Sequence, residues 1–227
     1  LTTFILESGA RMRHRIMTYG FLTLTALGAA WCPAAMVAEP LGKAAPDAAT
    51  ILKLDWRTLW VDHIIFTRSY IVSTLAGLGD QTSVTARLMR NQDDIGAAIA
   101  PYYGDAAGRR LATLLREHIS IAAKVVAAAK AGDAAGLKRA QALWAANGEK
   151  MADFLSAANP WWKRKAVAEM LSDHLATTTA EVDARLTERW PADIENFDHL
   201  HAHMLMFADY LADGLVRQFP ERFKPLR

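Results

Sequence analysis

The sequence predicts an all-α fold, an up-and-down helical bundle of about six helices after an N-terminal signal segment. Three observations lead there. Apolar residues recur at three- and four-residue steps over long stretches, and no segment alternates with period two between turn signals. Gly-Asp pairs at Gly79-Asp80, Gly104-Asp105 and Gly132-Asp133 each read as a helix-ending glycine followed by an N-capping aspartate.

The residues before Met12 are set aside as an upstream extension. From Met12 the text MRHRIMTYGFLTLTALGAAWCPAAMVAEP places basic Arg13 and Arg15 before an apolar run and then small residues, the pattern of a secretory signal cleaved after Ala38. Residues 1–38 are therefore assigned to extension and signal, 39–49 to a flexible Ala- and Pro-rich lead-in, and 50–220 to a single helical-bundle domain. Exported, periplasmic placement follows from that reading, with no membrane contact after cleavage. The competing form is an uncleaved anchor, because 16–38 is also long enough to span a bilayer. Cys32 follows Trp31 rather than a small residue, so it does not read as a lipidation site, and it lies inside the leader. A mature chain without cysteine has no disulfide, no thiolate nucleophile, no thiolate-held cluster and no covalently attached haem.

Helix ends are then read in order. The three Gly-Asp pairs, the Asn159-Pro160 cap with proline at a first helical position, and the Trp190-Pro191 break divide the domain into helices over about 50–78, 82–100, 105–131, 133–158, 160–189 and 191–218. The first carries Trp56, Trp60, His63, Thr67, Tyr70 and Thr74 on one stripe, and the third Leu111, Leu114, His118, Ile121 and Val125. The fourth carries Leu137, Ala140, Trp144, Asn147, Met151 and Phe154, and the fifth Val167, Met170, His174 and Thr178.

Charge narrows the partners. The 227 residues hold 26 basic and 24 acidic side chains, and with Arg11, Arg13, Arg15 and Glu7 removed the remainder carries 23 of each. A neutral body without a basic stripe lacks the footprint for phosphate backbones, which argues against nucleic acid.

Four acid-histidine dipeptides stand on four helices: Asp62-His63, Glu117-His118, Asp173-His174 and Asp198-His199. The first three histidines fall mid-helix, so an antiparallel arrangement brings them to one level, with Asn147 as the equivalent on the fourth helix. Successive helical residues point about 100° apart, so each preceding carboxylate lies on the flank, where it is expected to orient a neighbouring imidazole. The last helix offers His199 and His203, four apart on one face, and one of these is expected to complete the centre. His63, His118, His174, His199 and His203 are thus candidate ligands for a transition metal (Cu, Zn, Fe or Ni), with a non-covalent haem as second choice. The plain alternative is a set of core histidines in a buried hydrogen-bond network.

Arg68, five residues after His63, and the cluster Arg90, Asn91 and Gln92 are candidate cofactor-binding groups, since Asn91 and Gln92 align with Val84, Leu88, Ile95 and Ile99. Met170, Met204 and Met206 fit core filler better than soft ligands. No phosphate-binding glycine loop, nucleophile elbow, HExxH helix or paired ExxH motif occurs.

WVDHIIFTR at Trp60, RLMRNQDDIG at Arg87, LLREHI at Leu114, FLSAANPWW at Phe154, the Asp173-His174 and Asp198-His199 pairs and the closing QFPERF give the chain, over about residues 55–223, a resemblance to a poorly characterised family of exported bacterial helical proteins. Some members carry names such as glycosyltransferase or acetylglutamate kinase. Both activities are normally built on nucleotide-binding α/β folds, so for a chain without strands these names read as mistransferred. What the resemblance implies is export and a helical fold.

Three functions compete at this level. The first is a periplasmic binding or sensing module whose histidines hold a metal or cofactor. The second is a histidine-based enzyme acting beside Arg68 or Arg90 on a small anionic molecule, which requires an open polar pocket. The third is a structural or partner-docking bundle, which requires an exposed apolar patch.

Overall fold

A computed structural model describes residues 46–224; the leader and the first part of the lead-in lie outside the described residues. Six α-helices make up the domain: α1 (Ala48–Ala76), α2 (Gln81–Tyr103), α3 (Asp105–Ala131), α4 (Ala134–Ala158), α5 (Arg164–Leu186) and α6 (Trp190–Gln218), followed by a 3-10 turn at Pro220–Phe223. Among the described residues there is no strand. Each helix packs on its chain neighbours and α6 returns against α1, while α1 with α3 and α3 with α5 also touch across the bundle. Short links make consecutive helices antiparallel, so α1, α3 and α5 run one way.

The capping signals act less uniformly than the repeated Gly-Asp pair implies. At Gly132-Asp133 both halves work: Gly132 is left-handed (φ 67°) and Asp133 accepts a hydrogen bond from Gly136 N. Before α2 the left-handed glycine is Gly77, not Gly79, and Asp80 makes no cap bond because its carboxylate accepts from the Ser73 hydroxyl instead. At Gly104 one residue serves both helices, and Asp105 already belongs to the first turn of α3. The start of α5 departs furthest from expectation. Asn159-Pro160 opens no helix; Asn159 Oδ1 accepts from Trp161 N at 2.8 Å in a side-chain-closed turn, and α5 begins only at Arg164.

That turn has a tertiary reason. Trp162 is 1% exposed and its indole donates to Leu211 O at 3.1 Å, lying across Gly214, where any Cβ would collide with the ring. The pair closes one end of the bundle. Near the link between α2 and α3, a Cβ on Gly96 would lie 2.6 Å from Gly108 O, so these two helices approach backbone to backbone where only glycine fits. The main core gathers Trp56, Trp60, Ile64, Leu114, Leu171 and Phe207, all at most 7% exposed. Burial of such side chains contributes about 1.5–3 kcal/mol each, and the apolar stripes responsible are those that also carry the histidines. Among the described residues no helix is long and apolar enough to cross a membrane.

Candidate histidine centre

His63 on α1, His118 on α3 and His174 on α5 are all buried and face one another: the ring centroids are 5.7 Å apart for His63 and His174, 5.9 Å for His118 and His174, and 6.5 Å for His63 and His118. Three parallel helices, each with its histidine mid-length on an apolar stripe, account for the shared level.

The nitrogens are not equivalent. His63 Nδ1 faces Gln92 Oε1 at 3.2 Å, an acceptor, so Nδ1 carries the proton and Nε2 is a bare lone pair. Gln92 is held in turn, its amide donating to Leu88 O at 2.8 Å and Asn91 Oδ1 at 3.2 Å, and Asn91 donates to Leu59 O at 2.9 Å. His118 is satisfied on both sides. Its Nδ1–H donates to Asn147 Oδ1 at 3.0 Å, and its Nε2 accepts from the indole Nε1–H of Trp144 at 3.1 Å. An indole only donates, so this contact fixes the tautomer. His174 differs again, because its buried Nδ1 has no partner.

Burial holds all three imidazoles neutral. Desolvation lowers His63 to about 4 despite the opposing hydrogen bond to Gln92, and lowers His118 to about 3 with help from the nearby His63. His174 is driven well below the usual histidine value by desolvation first and then by His63, His118 and His203.

The flanking acids do not orient these rings. Asp62 pairs with Arg87 at 2.6 Å and Glu117 with Lys150 at 3.5 Å, while Asp173 and Asp198 are exposed. Side-chain amides take the orienting role instead: Gln92, Asn91 and Asn147, all at most 1% exposed. The last helix contributes no ring to the centre. His199 is exposed, and His203 is half-buried with Nε2 donating to Met170 O at 2.8 Å. Arg90 is also exposed, apart from the histidines.

Arg68 belongs to a second buried polar level. Its Nη1 donates to Glu181 Oε1 at 2.5 Å and Asp193 Oδ1 at 2.9 Å, and its Nη2 to Asp193 Oδ2 at 3.0 Å. Arg185 reaches the same Asp193 oxygen at 2.8 Å, and the Phe197 ring lies 4.7 Å from the Arg68 guanidinium carbon. Glu181 is fully buried with Oε2 unpartnered, and desolvation raises its carboxyl to about 7 against the pull of Arg68. About one turn beyond the histidines lies a small, almost wholly apolar cavity of about 20 Å³ lined by Thr67, Tyr70, Leu88, Trp144, Thr178 and Val182 among others, and by none of the three imidazoles.

Glu181, Arg185 and Asp193 are buried or half-buried polar groups that sequence reasoning passed over, and the sequence marks Trp144 only as part of an apolar stripe. Glu181 had a signal, since it stands seven residues after His174 on the same helical face. Nothing local marks Trp144 as a donor to His118. Among the described residues no group of three or more His, Cys, Asp or Glu side chains is arranged to hold a metal ion. No family model, no curated protein and no solved structure matches this chain.

Proposed function

We propose that this chain is an exported helical-bundle binding or sensing module that takes a transition metal ion at the buried centre formed by His63, His118 and His174. The observation that carries the reading is the convergence of three neutral imidazoles within 6.5 Å, two of which keep nitrogen capacity that no protein group uses. Neutral imidazole is the ligating form, so no proton must leave before an ion binds. The close setting favours a small ion over a macrocycle, since the three ring centroids lie within 6.5 Å of one another whereas molecular ligand pockets run to hundreds of Å³.

Catalysis on a small anion fits less well. Both nitrogens of the Arg68 fork that make contacts are spent on carboxylates, Arg90 is on the surface, and a base lowered to about 4 is mismatched to work near neutrality. The chain Trp144–His118–Asn147 supports a second reading, a purely structural hydrogen-bond network, because it leaves His118 no vacant position.

Elemental analysis of the protein purified from its own compartment separates the two. A stoichiometric metal that is lost in His63→Gln and His174→Gln supports the binding reading; metal at background in the native protein, with the variants changed only in stability, leaves the structural network. Export belongs to the same proposal, with the mature chain beginning near Glu39. N-terminal sequencing that still finds Met12 would establish the anchored form instead.

A further inference from the structure

We infer, resting on the metal-binding reading above, that the ion selected by this centre is monovalent and of low coordination number, copper(I) or its analogue silver(I), held by His63 Nε2 and a ring nitrogen of His174 while His118 serves as a fixed wall. The inference comes from what surrounds the imidazoles.

The first consideration is charge. Every polar side chain that bonds to the histidine rings is neutral: Gln92 on His63, and Asn147 and Trp144 on His118. The carboxylates next to the histidines in sequence lie at the surface, Asp62 and Glu117 in ion pairs and Asp173 exposed. The nearest buried carboxylates described, Glu181 and Asp193, are already matched by Arg68 and Arg185. An ion entering here is therefore compensated by no anion. The cost of desolvating an ion grows as the square of its charge, so a divalent ion loses about fourfold more than a monovalent one of the same size. Neutral ligands in a dry core thus discriminate by charge before any ligand preference acts.

The second consideration is ligand number. His118 has both nitrogens engaged, which leaves His63 Nε2 and His174 as donors. Zinc in a closed protein site takes four ligands, and nickel and iron ask for as many or more. Water does not make up the difference, because the three rings are at most 4% exposed, and the cavity about one turn away, about 20 Å³ and nearly all apolar, has room for about one molecule without the polar partners it needs. Two ligands satisfy a d¹⁰ monovalent ion and no other common transition metal. Two imidazoles bound at about 2 Å on opposite sides of one ion have ring centroids roughly 6.3 Å apart, so the 5.7 Å between the His63 and His174 centroids needs a small outward shift of the rings to admit the ion linearly.

The test uses the unmodified protein with ¹⁵N-labelled histidine. Silver(I), which needs no reductant, is titrated first, then copper(I) under anaerobic conditions against a chromophoric chelator, then zinc(II), nickel(II) and copper(II). The expected result is one equivalent of silver(I) or copper(I), bound at least about a hundredfold more tightly than zinc(II), with ring-nitrogen signals of His63 and His174 displaced and those of His118 unchanged. Tighter binding of a divalent ion would overturn the inference while leaving the metal reading standing. Displacement of the His118 signals would overturn the two-ligand assignment. If none of the five ions binds, the underlying reading fails with the inference. Because these signals are read in the wild-type protein, loss of folding in a histidine variant does not blur the answer.

Discussion

The histidine level and the Arg68 level share two helices, α1 and α5, with Arg68 and Glu181 roughly one to two turns beyond His63 and His174, yet they bury polar groups in opposite ways. At the first level everything is neutral. Gln92, Asn147 and Trp144 meet the rings of His63 and His118 donor to acceptor, while His174 Nδ1 is left without a partner, at a cost of ~1–3 kcal/mol for a neutral group. At the second level two guanidinium groups and two carboxylates share four hydrogen bonds, and one carboxylate oxygen of Glu181 has no partner. Charges out of water need all their partners, so this level has nothing to spare. It pins the first turn of α6, where Asp193 sits, to α1 and α5. A neutral level can keep an open position for a ligand; an ionic one holds helices in place.

The largest expected effect comes from breaking the ionic level. Arg68→Ala strands Glu181 and half of Asp193, and thermal or denaturant unfolding is expected to show a loss of ~3–5 kcal/mol. The pair Arg68→Met with Glu181→Leu, which removes both charges and leaves Asp193 to Arg185, is expected to recover most of that loss. A loss below ~1 kcal/mol for the single change would mean that the cluster behaves as a surface ion pair, and the contrast between the levels would go.

The neutral level should yield a smaller number. His118→Phe keeps the volume close but leaves the Trp144 N–H and the Asn147 carbonyl without their partner, at ~1–3 kcal/mol for each group left bare. Tryptophan fluorescence gives an independent readout, because Trp144 loses its acceptor. An unchanged midpoint in denaturant would show that the indole–imidazole bond contributes nothing.

The two levels should also respond to pH with opposite sign. In the unfolded chain a histidine takes up its proton near 6.5, but in the fold His63 does so near 4 and His118 near 3. The unfolded state binds more protons between those limits, so this stabilisation is complete above 6.5 and is lost as pH falls through the window. Glu181 runs the other way: raised to about 7 from 4.5, it favours the fold below about 4.5 and withdraws that support as pH rises through 7. Each group changes stability by at most ~1.4 kcal/mol per pH unit. Unfolding measured from pH 4 to 8 is expected to show both limbs in the metal-free protein, with Glu181→Gln flattening only the alkaline one. An alkaline limb that persists in that variant would assign it to another group.

Much of this arrangement is local in origin, and the sequence by itself determined it. Six helices, their order, and the burial of His63, His118, His174, Asn91, Gln92 and Asn147 follow from three- and four-residue spacing and from a few glycines and prolines, because which face of a helix turns inward depends on residues within a turn or two. Partner identity was decided by the tertiary structure alone. That Trp144 rather than Glu117 meets His118, that amides rather than acids orient the rings, that His199 turns outward, that Arg68 serves Glu181 and Asp193, and that α5 starts at Arg164 all depend on the rotation and height of one helix against another. Those are set by contacts far apart in the chain, such as Gly96 on Gly108 and Trp162 across Gly214, where sub-ångström sterics decide the register and no local pattern records it.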